Sequence, residues 1–329
     1  MLEKNLLLTV MLAVLTFYSS AQEIDNTAPW KNINSDSYIR LYVDNDYFTG
    51  TDEQYSEGTN LEIVMSWISK FPLSKLLVHP RFDNIKYGVG LEQAGYTPFA
   101  LPGTGYPYGD RPFAGTFFLK TFLIATDTQK KQRLATTLST GVIGPASLAG
   151  VFQDDAHVIT GNVQPPGWQY QIRNDAIINY QVNYEKQVFS LPDYLVIEAE
   201  AMARAGTLSD KACAGLTVMA GHFESPYALS KTWRSCIQVY MYDNPEIEIV
   251  GYDATLQGGM FDHSSPYTLP ASDISRVQFT NRIGLVVVIG RWYLEYNEYY
   301  VTQQFLTGYP HLWGGIQVAI AIDEKKSSK

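Results

Sequence analysis

A histidine behind two aspartates is the group in this sequence best suited to acid–base chemistry. It is His157, in GVFQDDAHVITG at residues 150–161, and the chain contains only five histidines. A neutral imidazole takes up a proton near pH 7, so His157 is a candidate general base. A metal ligand and a plain loop residue are the alternatives. The stretch from Pro145 to Ile159 has helical character, which puts Gln153, four residues earlier, on the same helix face.

Oxygen-bearing side chains cluster in VDNDYF at residues 43–48 and TDEQYSEG at residues 51–58. Asn45 and Asp46, with Asp44 and Asp52 nearby, supply the hard oxygen ligands that Ca²⁺ prefers. The cluster is not an EF-hand loop, because the sixth position counted from Asp44 is Thr49 rather than glycine. A solvated polar hairpin is the alternative.

Three further segments carry side chains that a substrate could contact. Ser56 is a candidate nucleophile, hydrogen-bond donor or strand-end residue, and a serine nucleophile needs a base within hydrogen-bond reach. Asp110 and Arg111, in GDRPFAG, are expected to pair locally, which favours a scaffold role. Trp168, in PPGWQYQ, is expected at the membrane interface where a strand re-enters the bilayer.

The elements that position these residues are strands with one apolar and one polar face. TNLEIVMSW, IINYQVNYE and RWYLEYN all alternate with period 2, and the first of them places Leu61, Ile63, Met65 and Trp67 on one face. Their polar faces carry Asn, Gln, Glu and Tyr rather than the many lysines of a soluble β-sandwich, and aromatic residues cap the strand ends. This pattern favours a closed transmembrane β-barrel with a polar lumen over a sandwich.

We therefore predict an all-β fold, a closed antiparallel transmembrane barrel of about 12 strands with a short helix in an extracellular loop. The strands are predicted near 37–45, 56–67, 84–94, 114–125, 133–142, 175–186, 194–205, 211–221, 235–252, 276–288, 292–303 and 310–322. Asn244 and Pro245 are interpreted as a bulge or bend, because splitting the ninth strand there would give an odd number of strands. With the N-terminus in the periplasm, the long connections 95–113, 143–174 and 253–275 are extracellular, and the segments described above meet at one rim.

The first residues have the pattern of a secretory signal peptide. Lys4 precedes an apolar run from Leu6 to Phe17, and Ser19 and Ala21 stand at positions −3 and −1 of a cleavage point before Gln22. The run is too short to span a bilayer. The predicted organisation is a leader at 1–21, a periplasmic segment at 22–36, an outer-membrane barrel at 37–322 and a polar tail at 323–329.

Composition limits the partners of this chain. The net charge is −9, which argues against nucleic acid as a partner because that requires a basic surface. Only 17% of residues are charged, below the roughly 25% of an average soluble domain. We expect a monomer. Whether Cys213 and Cys236 form a disulfide stays open, because their relative placement decides it.

Several short motifs, in order, resemble those of the lipid A 3′-O-deacylases. They are VDNDYF, DxxYSxG at 52–58, GDRPFAG at 109–115, GVIGP at 141–145, QxxxH at 153–157 and GWQYQ at 167–171. The resemblance covers most of the mature chain and is sharpest between residues 40 and 185. It implies a twelve-stranded outer-membrane barrel and a calcium-dependent esterase whose site lies between the barrel wall and a helix in an extracellular loop.

The resemblance also implies roles for individual residues. It assigns the catalytic base to His157 with Gln153 as its helix neighbour, Ca²⁺ to Asn45 and Asp46, and the residue after the motif tyrosine to Ser56. It assigns substrate contacts to Tyr96, Arg111 and Trp168. The chain departs from the family at two points: residues 99–109 contain no Lys or Arg, and position 163 is Val where an acidic residue occurs in the family.

The implied reaction is hydrolysis of an acyl ester of lipid A in the outer leaflet, at the 3′ position, by water that His157 activates while Ca²⁺ stabilises the oxyanion. Two alternatives remain. One is an outer-membrane phospholipase with Ser56 as covalent nucleophile. The other is a non-enzymatic barrel, a channel or scaffold, whose polar rim is only solvated.

Overall fold

The computed structural model describes residues 24–45, 48, 55–99, 106–160, 165–228 and 237–322, apart from the side chains of 55, 56, 156, 157, 159 and 160. The predicted leader, the polar tail, Asp46 and Cys236 lie outside these residues. Twelve strands follow one another along the chain. They are β1 (Tyr38–Asn45), β2 (Tyr55–Val64), β3 (Asn84–Tyr96), β4 (Ala114–Asp127), β5 (Gln132–Ile143), β6 (Asp175–Leu191), β7 (Leu195–Gly206), β8 (Ser209–His222), β9 (Ile237–Asp253), β10 (Val277–Ile289), β11 (Trp292–Val301) and β12 (His311–Ala321).

The strands form one closed antiparallel barrel, in which each pairs with its neighbours in sequence and β1 pairs with β12. Closure gives every strand a hydrogen-bonded neighbour on both sides, which is the condition for β-structure in lipid. The predicted fold class and the count of 12 are confirmed. In outer-membrane barrels the longer connections are extracellular, so the end with the β3–β4, β5–β6 and β9–β10 connections faces outward.

The two faces of the wall differ as the period-2 pattern predicts. Outward-facing side chains are apolar and exposed, among them Leu41, Leu61, Leu91, Ile249, Leu285 and Leu294. Lumen-facing side chains include charged pairs: Arg40 with Glu62 (3.8 Å), Arg133 with Glu185 (2.6 Å), Lys211 with Glu248 (3.3 Å) and Lys120 with Glu92. In these four pairs each buried charge has a partner of opposite sign, which offsets the cost of its burial.

The ninth strand is one element, as predicted. Of the bulge or bend predicted at Asn244 and Pro245, the bulge is wrong: the pairing with β8 skips these two residues without a register shift. The register of β9 with β10 is the same on both sides of Pro245. The ring of Pro245 belongs to the outward row of β9, and the strand continues past it. The irregularity between β8 and β9 lies instead at the step from Asp210 to Lys211.

The segment before β1 lies inside the barrel. Trp30, 1% exposed, stacks on Tyr242 of β9 with ring centroids 4.4 Å apart. Side chains from three separate strands donate to the backbone carbonyls of this segment: Arg40 to Asn26 (2.9 Å), Arg133 to Thr27 (2.8 Å) and Tyr240 to Trp30 (2.6 Å). The sequence predicts a periplasmic segment at 22–36, whereas the structure places 24–36 in the lumen, held by polar groups with no local sequence signature.

The extracellular end of the lumen is covered by the β9–β10 connection. Its short helix α2 (Ala254–Gln257) begins at Asp253, whose carboxylate accepts from the Thr255 N–H at 2.8 Å. Ala254 and Leu256 are fully buried. Residues 24–36 below and this helix above thus obstruct the described part of the lumen, and small cavities remain between them.

The β2–β3 connection, residues 65–83, is unusually long for the periplasmic end. Strand β2 ends at Val64, so Met65 and Trp67, which the sequence places on the apolar face of that strand, belong to this connection. It contains two 3₁₀ turns, Ser66–Lys70 and Pro72–Leu76. Among the described residues, no helix is long and apolar enough to cross a membrane.

Candidate active site

Four outward-facing positions form one row across the extracellular end of β1 to β4. On β1, Asp44 is buried on the lumen side, where it accepts from the Trp313 indole at 3.3 Å; because side chains alternate, Asn45 belongs to the outer face. Asp44 pairs with Gly58, which brings Asn45 beside Glu57 on β2. Glu57 pairs with Gly95 on β3, and Gly95 pairs with Gly115 on β4. The row therefore has two polar and two glycine positions.

The β2 strand is irregular at one end of this row. Its register with β3 shifts between Tyr55 and Glu57, so Ser56 is the extra residue of a β-bulge. A bulge re-aims the local backbone and is frequent next to active sites. The Ser56 side chain itself lies outside the described part of the structure.

A helix lies against the outer face of the wall over the two glycines. Helix α1 (Ala149–Thr160) follows β5 through a turn in which Gly144 has a φ of 105° and its N–H donates to the Gly115 carbonyl at 2.8 Å. A Cβ added to Gly115 would lie 2.6 Å from the Ala149 Cβ, and one added to Gly95 would lie 3.8 Å from it. Gly115 therefore permits the close approach that seats α1 on the barrel.

Trp168 fixes α1 from the far side. Its indole N–H donates to the Gln153 Oε1 at 2.8 Å, its ring lies 5.2 Å from that of Phe113, and Gly150 leaves room for it. Gln153 is 2% exposed. Gln153 and Trp168, two of the predicted site residues, thus contact each other, and together they hold the helix that contains His157.

The opposite face of α1 is exposed and mostly apolar, with Asp155 as its charged residue among the described side chains. Val151, Phe152 and Val158 are 56%, 54% and 68% exposed. Since α1 lies on the lipid side of the wall, these side chains continue the apolar outer surface of the barrel. The helix thus covers the two glycine positions of the row on β3 and β4.

Three predicted site residues have side chains outside the described part of the structure. Asp46 follows the last residue of β1, Ser56 occupies the bulge in β2, and His157 lies in α1 one turn after Gln153. Their roles stay predictions. Asn45 is described and is half-buried on the outer face of the wall; its role also stays a prediction.

Tyr96 and Arg111 lie on the other side of the wall. Arg111 is fully buried at the top of the lumen, 4.6 Å above the Tyr96 ring, and its Nη2 donates to the Thr255 hydroxyl at 3.2 Å. Burial lowers the pKa of its guanidinium from the usual value, and the nearby Asp253 opposes that effect. The structure does not bring these two residues to the outer row with Asn45, and their contact with substrate stays a prediction.

Two groups in the described residues offer metal ligands. Cys213, Glu246 and Glu248 have ligand atoms within 4.8 Å of one another in the lumen, where Lys211 pairs with Glu248 at 3.3 Å. A thiolate donor does not suit Ca²⁺. The amide oxygen of Asn45 and the carboxylate of Glu57 are hard donors on one outer row, and their chemistry fits Ca²⁺.

Glu57 is the residue that the sequence motifs missed. It occupies a variable position of DxxYSxG, so no motif singles it out. The period-2 alternation does indicate its position, because Glu57 falls on the same face of β2 as the lipid-facing Leu61 and Ile63. A carboxylate in that row is costly unless it has a function or a partner.

The fold defines the class: a closed antiparallel barrel with an apolar outer band and a polar, obstructed lumen is an integral outer-membrane protein. Residues 6–322 match the family model described as outer membrane protein LpxR. The chain belongs to this family, which confirms the resemblance to the lipid A 3′-O-deacylases.

One solved structure supports the fold. The chain is similar to LpxR from Salmonella typhimurium, with a TM-score of 0.71, 20% identity, and coverage of 87% of this chain and 100% of that chain. It also matches the beta domain of the Bordetella autotransporter Brka, with a TM-score of 0.45, 10% identity, and coverage of 87% and 98%. No curated protein sequence matches the chain.

Proposed function

We propose that the chain is a lipid A deacylase that hydrolyses an acyl ester, at the 3′ position, on the lipid side of its own barrel wall. The observation that supports this most directly is the placement of α1 over the row that contains Asn45. A lipid with its acyl chains in the outer leaflet reaches that row without leaving the membrane. The closed barrel leaves no strand edge for a second copy, and we propose a monomer.

The spacing of the helix suits this proposal. His157 follows Ala149 by eight residues, about 12 Å along an α-helix. Ala149 lies over β3 and β4, and two strand spacings, about 10 Å, separate β3 from β1. If α1 crosses the row toward β1, His157 reaches the level of Asn45 and Glu57. The same spacing puts it on the face of Ala149 and Gln153, which packs on the wall.

In the proposed mechanism, His157 accepts the proton of a water that attacks the ester carbonyl. Gln153 and Trp168 hold the helix that carries the imidazole, and Ser56 and Asn45 orient the ester or the water. The wall and the apolar face of α1 exclude bulk water, which strengthens each polar interaction inside. The same imidazole, once protonated, delivers its proton to the leaving alkoxide.

Ca²⁺ is the cofactor that we propose, held by Asn45, Asp46 and Glu57. When bound there, it polarises the ester carbonyl and stabilises the developing oxyanion. One general base contributes roughly 10²–10⁴-fold, so much of the remaining rate enhancement depends on such oxyanion stabilisation. Glu57 provides a carboxylate that the chain lacks at position 163, where it has Val.

The alternatives lose support to different degrees. A channel needs an open lumen, and the described lumen is obstructed by residues 24–36 and capped by α2. A phospholipase with Ser56 as covalent nucleophile retains one supporting observation, the bulge at that residue. The two enzymatic proposals differ in whether the serine hydroxyl forms an acyl-enzyme.

Mass spectrometry of lipid A incubated with the purified protein tests the proposal. We expect loss of one acyl chain by the wild type, inhibition by a calcium chelator, and no release by His157→Ala. His263→Ala, an exposed histidine on the same side of the barrel, is the matched control and should stay active. Equal release by His157→Ala and wild type would reject the proposal. Ser56→Ala keeps measurable turnover if the serine only orients, whereas complete loss together with labelling by a serine-reactive probe supports the phospholipase.

A further inference from the structure

The β2–β3 connection, residues 65–83, packs against the outside of the barrel wall. Leu77, 5% exposed, forms a cluster with Leu123 and Ala125 of β4, which are fully buried, and with Leu138 of β5. Lys120 and Phe122 of β4 face the lumen, so Leu123 and Ala125 face outward. Wall residues that would contact lipid in a bare barrel are therefore covered by this connection.

Hydrogen bonds fix the connection in this position. The Tyr180 hydroxyl of β6 accepts from the Val78 N–H at 2.8 Å and donates to the Leu76 carbonyl at 3.2 Å. At its end, Asp83 accepts from the Thr128 N–H at 3.0 Å, in the β4–β5 turn. The connection is therefore packed and hydrogen-bonded against the outer face of the wall, unlike a simple periplasmic turn.

The other face of the connection combines apolar and basic side chains. Trp67, Leu76 and Val78 are 57%, 59% and 68% exposed. Lys70, Lys75 and Arg81 are also exposed, and the segment has one acidic residue, Asp83. A basic segment is notable in a chain whose net charge is −9.

Exposed apolar groups interleaved with long basic side chains are typical of elements that lie at a bilayer interface. Here the surface is continuous with the lipid-facing wall and lies toward the periplasmic end, opposite α1. Its neighbours are therefore lipids of the periplasmic leaflet. Basic side chains at that depth meet lipid phosphates, and anionic headgroups satisfy them best.

We propose that the β2–β3 connection is seated in the periplasmic leaflet and binds anionic phospholipid headgroups through Lys70, Lys75 and Arg81. This lipid-binding surface is separate from the deacylase site. It does not depend on the function proposed there.

Fluorescence quenching in vesicles tests the proposal with the full-length protein. Wild type and Trp67→Phe are reconstituted in phosphatidylcholine containing increasing brominated phosphatidylglycerol, or brominated phosphatidylcholine as the zwitterionic reference. The difference between the two proteins isolates the emission of Trp67. We expect Trp67 to be half-quenched at a mole fraction of brominated phosphatidylglycerol at least about fivefold lower than that of brominated phosphatidylcholine. Fivefold is the factor expected for one basic residue near an anionic surface.

Charge variants identify the groups responsible. Lys70→Gln/Lys75→Gln/Arg81→Gln should abolish the preference while Trp67 stays quenched by both lipids. Lys130→Gln/Lys131→Gln/Arg291→Gln removes three charges at the same end of the barrel but outside the connection, and should keep it. Lys70→Arg/Lys75→Arg/Arg81→Lys preserves charge and should also keep it. Heat-modifiable migration on gels verifies that each barrel is folded.

Three results would overturn the proposal. Trp67 inaccessible to both brominated lipids means that the surface is covered by something other than lipid. Equal quenching of wild type by the two lipids means that it is embedded without headgroup recognition. Loss of the preference in the control triple variant means that general charge, rather than the connection, attracts the anionic lipid.

Discussion

Gly115→Ala offers a sharp test of how the helix is seated on the wall. The new Cβ would overlap the Ser147 hydroxyl in the turn before α1 and would lie 2.6 Å from the Ala149 Cβ, whereas carbon atoms in contact are about 3.5–4.0 Å apart. The start of α1 must therefore move outward by about 1 Å. A displacement of that size in a catalytic group costs on the order of 10²-fold in rate, and we expect a loss of that order in deacylation.

Gly95→Ala is the matched control in the same row. Its added Cβ meets only ordinary contacts, 3.5 Å from the Glu57 Cγ and 3.8 Å from the Ala149 Cβ. Initial rates of acyl release, measured by mass spectrometry on barrels shown to be folded by heat-modifiable migration, separate the two. Gly115→Ala at wild-type rate, or Gly95→Ala equally impaired, would refute the view that close packing of α1 on β4 sets the geometry of the site.

Two further predictions concern the metal and the lumen. Glu57→Gln should weaken Ca²⁺ binding roughly tenfold in calorimetry, because carboxylate charge tunes the affinity of such sites. Glu298→Gln, which changes an outward carboxylate on β11, is the control. Equal Ca²⁺ affinities of Glu57→Gln and wild type would contradict the assignment. Trp30→Ala removes a fully buried ring and should lower the free energy of unfolding by about 3–5 kcal/mol in urea titrations. Trp292→Ala, half-exposed to lipid, should lower it far less, and an unchanged midpoint for Trp30→Ala would show that residues 24–36 contribute little to stability.

The strands were predictable from the sequence because the bilayer imposes a local rule. An outward position needs an apolar side chain and a lumen position accepts a polar one, so Leu61 and Ile63 alternate visibly with Asn60 and Glu62. The twelve predicted strands agree with the observed ones within a few residues at most ends. The ninth strand was correctly predicted to continue past Pro245, but a proline in a strand does not by itself reveal whether the register shifts there.

The site and the lumen were harder to predict, because they depend on contacts between distant residues. Asn45 and Gln153 belong to recognisable motifs, whereas the position of Glu57 becomes meaningful only once β1, β2 and β3 are in register. Likewise nothing near Trp30 indicates that its partners are Tyr240 and Tyr242, more than two hundred residues away. Arg111 belongs to a recognised motif, but the motif did not reveal that its side chain is buried in the lumen rather than on the outer face of the wall.

The location of residues 24–36 constrains how the molecule is assembled. These residues immediately precede β1, and the pairing of β1 with β12 closes the barrel. The two strands that close the barrel therefore enclose a segment that must already be inside. If β1 and β12 paired before residues 24–36 were inside the barrel, this segment would have to pass through a lumen lined by ion pairs. Because Ile24 itself is buried in the lumen, an extracellular loop is a better place for a purification tag than the position directly before it.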